Sequence, residues 1–158
     1  MSLKETLARI RSVADYQFGK ETGVKLFPEN VRVALSRRTG RIRYVYLNDK
    51  RLATMRPTDG LFSLSVADAK RIADHKIPAR CLVTVQNDVS KFIAEGGDVF
   101  AMHVVKADDA IRAKDEVVVV DEGCKVLAIG RALLSGEEMK AFKRGVAVKV
   151  RRGCLQEG

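Results

Sequence analysis

The segment Val117–Arg152, VVVVDEGCKVLAIGRALLSGEEMKAFKRGVAVKVRR, decides how the second half of the chain folds. A run of four valines ends at the reversal Asp121–Gly123, and a second apolar run, Val126–Ile129, follows it. Two apolar runs joined by a short turn with glycine are typical of a β-hairpin. We therefore predict a hairpin here, with Gly123 as the residue that can take a positive φ.

A short helix and a final strand are predicted after this hairpin. Ser135 has the position of a helix N-cap, and Glu138, three residues later, completes a capping box. The stretch Gly145–Val150 then alternates between valine and other residues, which places its three valines on one face of a strand. The whole segment is thus predicted to fold as hairpin, helix and strand.

The charge of the chain is large and unevenly distributed. The net charge is +9 and the sequence pI is about 9.7. Residues 1–78 contain 16 basic and 8 acidic residues, a net charge of +8, whereas residues 79–158 contain 13 and 12, a net charge of +1. A basic unit favours a polyanionic partner, because each neutralised phosphate releases condensed counterions. The asymmetry also indicates two structural units.

Residues 1–78 have the pattern of a small α+β unit. Apolar residues at helical spacing from Leu3 to Ala14 predict a helix that stops at Gly19. Alternating residues over 31–35 and 42–46 predict two strands, and two shorter strands and a second helix follow them. The predicted order is helix, antiparallel meander and helix.

Residues 79–153 have the pattern of a compact, mostly antiparallel barrel. Many short strands alternate with turns and with two small helices. The second helix of the first unit is expected to end near His75, and Pro78 is the expected boundary between the units. Residues 154–158 are expected to form a tail.

No arrangement of residues in the sequence suggests catalysis or metal binding. The three cysteines are far apart and there are only two histidines, whereas structural zinc needs about four converging ligands. The cysteines are expected to be buried free thiols. No nucleophile elbow, catalytic triad order or Walker loop is present. We predict a protein that is not an enzyme and that binds no cofactor.

Adjacent acidic residues are candidates for acid–base chemistry, but most of them fall at predicted turns or at a helix start, where turn and helix-dipole roles explain them. The four pairs are Asp108-Asp109, Asp115-Glu116, Asp121-Glu122 and Glu137-Glu138. No stretch is long and apolar enough to span a bilayer, and no charged-then-apolar leader begins the sequence. A cytoplasmic location without a membrane partner is expected.

Several strings in the chain resemble a known family. Gly130–Ala132 and Lys143–Val148 are similar to the closing half of a PUA domain, the RNA-binding module named for pseudouridine synthases and archaeosine transglycosylases. Asp15–Gly19, Thr39–Arg43 and Arg56–Gly60 are similar to the domain that precedes PUA in archaeal archaeosine tRNA-guanine transglycosylases. In that family the catalytic carboxylates and the structural zinc belong to a large barrel that precedes these domains. The resemblance therefore implies the RNA-docking end of such an enzyme without its catalytic part.

The predicted fold class is α+β. A small N-terminal unit, residues 1–78, is expected to precede a PUA-type β pseudobarrel, residues 79–153. The pseudobarrel is what the resemblance implies, and the strand pattern is consistent with it.

Candidate RNA contacts come from both units. Gly96 and Gly97 end a predicted helix as C-capping residues, and the same turn forms part of the RNA groove in PUA domains. Arg144 beside Gly145 resembles an RNA-facing position of the family. The arginines of the hairpin at 37–43 are either phosphate donors or a solvated edge that discourages strand pairing. The residues expected to contact RNA are Arg37, Arg38, Arg41, Arg43, Lys91, Gly96, Gly97, Asp98, Val99, Arg131, Lys143, Arg144, Lys149 and Arg151.

Four aromatic residues are expected to lie in the core. Tyr44 and Tyr46 are candidates for stacking on bases, but their alternation with Ile42 favours packing in the interior. Phe100 and Phe142 are also expected to be buried.

These observations predict a non-catalytic RNA-binding protein whose PUA domain docks on structured RNA. The expected RNA is the acceptor end of tRNA, and the expected role is that of an accessory component beside a separate tRNA-modifying enzyme. The alternative is a translation- or ribosome-associated PUA factor that acts through protein and rRNA contacts, since a small domain followed by PUA also occurs in translation-factor-like proteins. Binding to bulk tRNA against binding to ribosomal subunits distinguishes the two.

Overall fold

The computed structural model describes residues 2–74 and 80–156. The chain divides into two compact units, residues 1–79 and 80–158. The predicted helix end at His75 and the predicted boundary at Pro78 lie outside the described residues, as do the last two residues of the predicted tail. Each unit has its own buried core and is described by itself.

The first unit combines three helices with an antiparallel meander whose strand order is β1-β2-β3-β4. The elements are α1 (Leu3–Phe18), α2 (Thr22–Leu26), β1 (Arg32–Leu35), β2 (Ile42–Leu47), β3 (Lys50–Met55), β4 (Phe62–Leu64) and α3 (Val66–Asp74). The predicted order of helix, meander and helix is confirmed. Helix α2 was not predicted, because five residues are too few to show a helical period.

The core of the first unit is set by the register of its strands. Val45, Ala53 and Leu64 are partners across β2, β3 and β4, and all three are buried. Helix α1 buries Ile10 and the residues one and two turns after it. Leu3 lies on the predicted helical face, but it is exposed and does not contribute to the core.

The second unit is a mixed six-stranded sheet that forms a nearly closed pseudobarrel, with the strand order β6-β10-β9-β8-β5-β7. Strands β5 and β8 are parallel and the other neighbours are antiparallel. The elements are β5 (Leu82–Val85), a 3₁₀ turn (Asn87–Val89), α4 (Ser90–Ala94), β6 (Val99–Phe100), a second 3₁₀ turn (Ala101–His103), β7 (Val104–Ala107), β8 (Glu116–Val120), β9 (Val126–Ala132), α5 (Gly136–Ala141) and β10 (Val146–Gly153). The predicted fold class is confirmed.

The predicted hairpin is formed by β8 and β9, with one local correction. The residue with a left-handed backbone is Cys124, with φ 63°, and Gly123 is not among the residues with positive φ. The carboxylate of Asp121 accepts hydrogen bonds from the N–H groups of Gly123 and Lys125, both at 2.9 Å. This carboxylate supports the loop. The N–H of Cys124 donates to the carbonyl of Asp121 at 3.0 Å, so the chain reverses where predicted, and only the residue with positive φ differs.

The predicted helix and last strand are also present. Ser135 Oγ accepts from Glu138 N at 3.1 Å and Glu138 Oε1 accepts from Ser135 N at 2.9 Å, so the capping box is confirmed. Strand β10 continues to Gly153, three residues beyond the predicted end. Its register shifts opposite β6, and Ala147 and Val148 are both buried in spite of the predicted alternation. A bulge of this kind changes which residues face inward.

Two of the predicted core residues are exposed. Phe100 lies on the outside of β6 because its neighbour Val99 takes the inward position. Phe142 follows the last turn of α5 in an extended conformation, while Met139 fills the core from that helix. The core of the second unit is thus built mainly from valine, isoleucine and alanine.

The cysteines are free, as predicted, but they are not all buried. Cys81 is buried, Cys124 is exposed and Cys154 is partly buried. Cys124 is exposed because it lies in the left-handed position of the β8–β9 turn.

Candidate nucleic-acid interface

A row of charged side chains crosses three strands of the pseudobarrel. Lys149 on β10 is the register partner of Arg131 on β9, and Arg131 is the partner of Glu116 on β8. Residues directly opposite one another on antiparallel strands point to the same side of the sheet. Lys149 and Arg131 are exposed, so the structure brings together two of the predicted phosphate contacts.

Arg151 is bound to the carboxylate at the end of this row. Its Nη1 and Nη2 donate to Glu116 Oε1 and Oε2 at 2.7 and 2.5 Å. Burial alone would lower the pKa of Arg151, but its hydrogen bond and ion pair with Glu116 raise that pKa above its ordinary value. Arg151 therefore neutralises a buried carboxylate, and its contact with RNA stays a prediction.

Asp98 joins the turn after α4 to strand β10. Its Oδ1 accepts from the N–H of Val150 at 3.0 Å, and its Oδ2 accepts from Lys149 Nζ at 3.3 Å. Asp98 was predicted as an RNA contact, but its carboxylate is used inside the chain and would repel a phosphate. These hydrogen bonds connect the turn to β10 and orient Lys149, and the RNA contact predicted at Asp98 stays a prediction.

The glycine turn ends α4 in a Schellman arrangement. The N–H of Gly97 donates to the carbonyl of Phe92 and the N–H of Gly96 donates to that of Ile93, both at 2.9 Å. Gly96 has φ 106°, which favours glycine. The predicted C-capping role is confirmed.

The same turn is covered by side chains of its own unit. A Cβ on Gly96 would lie 2.5 Å from Gln156 Nε2, and a Cβ on Gly97 would lie 2.3 Å from the Phe92 ring. Gln156 is held in place by the N–H of Gly153, which donates to its Oε1 at 2.8 Å. The side of the turn to which a Cβ would point is therefore occupied by these side chains. An RNA contact elsewhere on the turn stays a prediction.

The remaining predicted contacts of the second unit differ in accessibility. Val99 is completely buried in the core, so its side chain is not accessible, and the RNA contact predicted at this residue stays a prediction. Lys91 is exposed on α4, with its Nζ 4.0 Å from a carboxylate oxygen of Glu95. Lys143 and Arg144 are exposed in the turn that precedes β10.

The four predicted arginines of the first unit lie at the β1–β2 hairpin. Arg37, Arg38 and Arg41 are exposed and Arg43 is half-buried. The hairpin is closed by the N–H of Ser36, which donates to the carbonyl of Arg41 at 2.7 Å. Within residues 2–74, none of these arginines forms a salt bridge. The hairpin therefore concentrates positive charge that nearby carboxylates do not neutralise.

Tyr44 and Tyr46 do not point into the core as predicted. Val45, between them, is fully buried, so the two tyrosines lie on the opposite face of the sheet, where both are half-buried. The prediction took Ile42 and the two rings as the apolar face of β2. Alternation shows that two faces exist, and it does not show which of them is covered.

Two further arginines surround these rings, and sequence analysis missed both. The guanidinium carbon of Arg32 lies 4.5 Å from the ring centroid of Tyr46. Those of Arg43 and Arg51 lie 5.5 Å from the centroid of Tyr44. Arg32 and Arg51 both pair in register with Tyr46. Assigning Tyr46 to the outer face of β2 would therefore have placed both arginines on that face.

The acidic pairs serve the fold, with one correction. Asp108 and Asp115 accept hydrogen bonds from backbone N–H groups in turns, and Glu138 caps α5. Glu116 is the exception, because it is a buried strand residue paired with Arg151. In residues 2–74 and 80–156, no three histidine, cysteine or acidic residues are grouped as a metal site requires. None of the helices described there has the length and apolar character needed to cross a membrane.

The fold defines a protein with a small α+β unit followed by a pseudobarrel, and family models match both parts. Residues 8–78 match the patch-forming domain C2 of tRNA-guanine transglycosylase, and residues 82–154 match the PUA domain. The chain belongs to the PUA-domain family, with a C2 domain in front of its PUA domain.

Similar curated proteins are archaeal tRNA-guanine(15) transglycosylases. The chain is 42% identical over 149 residues to the enzyme of Methanothermobacter thermautotrophicus and 48% identical over 146 residues to that of Pyrococcus abyssi. These matches cover 94% and 91% of this chain but only 23% and 24% of the two enzymes. The chain thus corresponds to a C-terminal part of these relatives.

Solved structures resemble the chain over nearly its full length. A hypothetical protein from Pyrococcus horikoshii has a TM-score of 0.78 and 30% identity, with 99% of this chain and 94% of that chain covered. A conserved PUA domain protein from Thermoplasma acidophilum has a TM-score of 0.67 and 23% identity, with 99% and 93% covered, and shows the same fold. The PUA domain and the relationship to the transglycosylases support RNA binding.

Proposed function

We propose that the chain is a non-catalytic RNA-binding protein whose PUA domain docks on structured RNA. The proposed RNA is the acceptor end of tRNA, and the proposed role is that of an accessory component of tRNA modification. One observation carries the proposal. The chain is 42% identical, over 94% of its own length, to only 23% of a tRNA-guanine(15) transglycosylase. It shares the part of such enzymes that resembles an RNA-docking module.

The described side chains favour docking over chemistry. The carboxylates discussed above are engaged in turns, in a helix cap or in the pair of Glu116 with Arg151. The Cys81 thiol is buried, and its burial together with the nearby charges of Glu116 and Asp108 raises its pKa far above the ordinary value. Because the thiolate is the nucleophilic form, this cysteine is unreactive in the folded protein.

Phosphate contacts would come from the exposed cations of the pseudobarrel. Arg131 and Lys149 share one face, and Lys143 and Arg144 lie in the turn that leads into the same strand, β10. Contacts to phosphates set affinity and position on the RNA, whereas the shape of the folded RNA provides selectivity. This arrangement suits the recognition of a folded RNA by its backbone.

The test is a double charge reversal, Arg131→Glu with Arg144→Glu, measured as tRNA affinity at several salt concentrations. The matched control is Lys106→Glu with Lys125→Glu, which changes the net charge equally at two other exposed positions of the same unit. Each lost phosphate contact reduces the slope of log affinity against log salt by about one. We expect a loss of roughly two in slope, with weaker binding, in the first variant only.

Equal effects in the two variants would show that only net charge matters and would refute the assigned surface. If the wild-type protein ignored tRNA but co-sedimented with ribosomal subunits at the same salt, the ribosome-associated alternative would replace the proposal.

A further inference from the structure

We propose that the outer face of the sheet in the first unit binds unpaired nucleotides of RNA. The bases would stack on Tyr44, Tyr46 and the arginines around them. This inference rests on the proposed RNA-binding function, but it concerns the other unit of the chain and single-stranded RNA.

The register of the meander builds this face. Tyr46 is the partner of Arg32 on β1 and of Arg51 on β3, and together they form one cross-strand row. Tyr44 is the partner of Ala34 and of Thr54 in the adjacent row. Because Val45 takes the buried side, both rows lie on the side of the sheet away from the core.

Three guanidinium groups lie against the two rings. Arg32 is at 4.5 Å from the Tyr46 centroid, and Arg43 and Arg51 are each at 5.5 Å from that of Tyr44. The register shift between β1 and β2 leaves Arg43 without a partner, which allows its side chain to reach this face. Stacking on tyrosine holds the planar groups in place before any ligand binds.

The charges of these arginines are not neutralised within the unit. No salt bridge to Arg32, Arg43 or Arg51 is formed by the acidic residues among 2–74, whereas Arg56 and Arg71 are paired with Asp59 and Asp68. The first unit therefore has carboxylates that pair with arginine, but they do so elsewhere. Three neighbouring positive charges repel one another, and a polyanion bound over them relieves that repulsion.

The shape of the face suits single bases. The two rings have centroids 6.1 Å apart and are tilted by 57°, so they do not cover each other. The neighbours of Tyr44 in the second row, Ala34, Thr54 and Ser63, have small side chains. Aromatic rings and guanidinium planes stack on bases of any sequence, but the bases of a duplex are covered by their neighbours. The occupant is therefore an unpaired segment.

Charge also argues against the most obvious other occupant, a second copy of this chain. A symmetric dimer through this face would bring the arginines of both copies together, with their charges unneutralised. An acidic protein surface would satisfy the charges but makes no special use of the two half-buried tyrosine rings. The two classes of partner are separated by the experiment.

The experiment measures binding of the full chain to a fluorescent, non-self-complementary ten-nucleotide RNA and to a blunt-ended RNA hairpin. The variants are Tyr44→Leu with Tyr46→Leu, and Arg32→Lys with Arg51→Lys, which keeps the charge but removes the planar group. The control is Tyr16→Leu, a tyrosine on α1 that is 77% exposed. Circular dichroism and thermal unfolding of each variant verify the fold.

Loss of stacking weakens single-strand binding by roughly tenfold per base. We expect a loss of about tenfold to a hundredfold for the tyrosine pair, a smaller loss for the lysine pair, and changes below about twofold for Tyr16→Leu and for the hairpin. The lysine pair provides the same test if the tyrosine pair disturbs the fold. Both variants should keep the salt dependence of the wild-type protein, since no charge is lost.

Four outcomes overturn the inference. Single-strand binding that is unchanged in both variants, or an equal loss for the hairpin, shows that the face does not bind unpaired bases. A wild-type protein that binds the hairpin and not the single strand refutes this inference alone. A wild-type protein that binds neither RNA but binds tRNA also refutes this inference alone. One that binds neither of these RNAs nor tRNA refutes the proposed function too, and capture of an acidic protein through the same residues would then identify the other class of partner.

Discussion

Replacing Arg151 by methionine should destabilise the pseudobarrel much more than replacing its partner Glu116 by glutamine. The Glu116 side chain has no exposed surface, and both of its oxygens accept from the guanidinium, at 2.7 and 2.5 Å. Removing one partner of a buried pair costs about 3–5 kcal/mol, because the other charge stays buried without that partner. The Arg151 side chain is 42% exposed, so water can enter the space that it leaves. The loss in free energy of unfolding should therefore lie at the lower end of this range, about 3 kcal/mol.

Replacing Glu116 instead removes the buried member of the pair and keeps Arg151, the more exposed one. In Glu116→Gln the guanidinium of Arg151 can turn toward water, and the buried amide still offers hydrogen bonds. The expected cost is about 1 kcal/mol, the value of an ordinary hydrogen bond. The double variant should regain at least part of the loss seen for Arg151→Met, because it removes the buried charge together with its partner.

The stability of the pseudobarrel can be measured through a buried thiol of the same unit. Cys81 is shielded in the folded pseudobarrel and reacts with a thiol reagent when the unit opens. In a background of Cys124→Ser and Cys154→Ser, its labelling rate reports the free energy of opening. A loss of 3 kcal/mol increases this rate by on the order of a hundredfold.

An exposed pair provides the control for this experiment. Lys140→Met breaks the ion pair with Asp109, and exposed pairs contribute less than about 1 kcal/mol. If Arg151→Met labelled no faster than Lys140→Met, the pair with Glu116 would not stabilise the pseudobarrel. The structural role assigned to Arg151 would then be wrong.

Two more predictions concern one buried carboxylate and two glycines. Burial raises the pKa of Asp68 more than the nearby Arg71 lowers it, so the folded state holds the proton more tightly than the unfolded chain. Stability of the first unit, followed by tyrosine fluorescence, should fall as pH rises from about 4 through the raised pKa, and Asp68→Asn should abolish this fall. Gly153→Ala should destabilise the second unit by about 2 kcal/mol in the thiol assay, because its Cβ would lie 2.2 Å from the carbonyl oxygen of Ala94. Gly123→Ala, whose Cβ would have its nearest neighbour at 3.4 Å, should change stability by less than about 0.5 kcal/mol.

The features that sequence analysis predicted correctly are those encoded within a few residues. The capping box of Ser135 and Glu138 spans four residues, and both of its hydrogen bonds are present. The hairpin of β8 and β9 and the end of α1 at Gly19 are equally local. Such elements need no knowledge of what packs against them, so their sequence patterns are sufficient.

The features that sequence analysis missed depend on distant parts of the chain. Gln156 covers Gly96 from 60 residues away, and no pattern around the glycine predicts this. Arg151 reaches Glu116 at a point where the register of β10 shifts. The buried face of β2 is decided by what packs against the sheet, which the alternation around Tyr44 does not reveal.

The two units differ in net charge and in how many of their cations are paired with an acidic residue. In the second unit the cations Lys149, Arg151, Lys140 and Lys91 each have an acidic partner, so part of its positive charge is already used. In the first unit the hairpin at 37–43 and the face around the two tyrosines have no such partners among residues 2–74. Positive charge without an acidic partner attracts RNA of any sequence over about a Debye length. A rigid surface whose charges are partly neutralised selects RNA mainly by its shape. The proposed division of roles follows, with attraction and stacking in the first unit and selection of the folded RNA in the PUA domain.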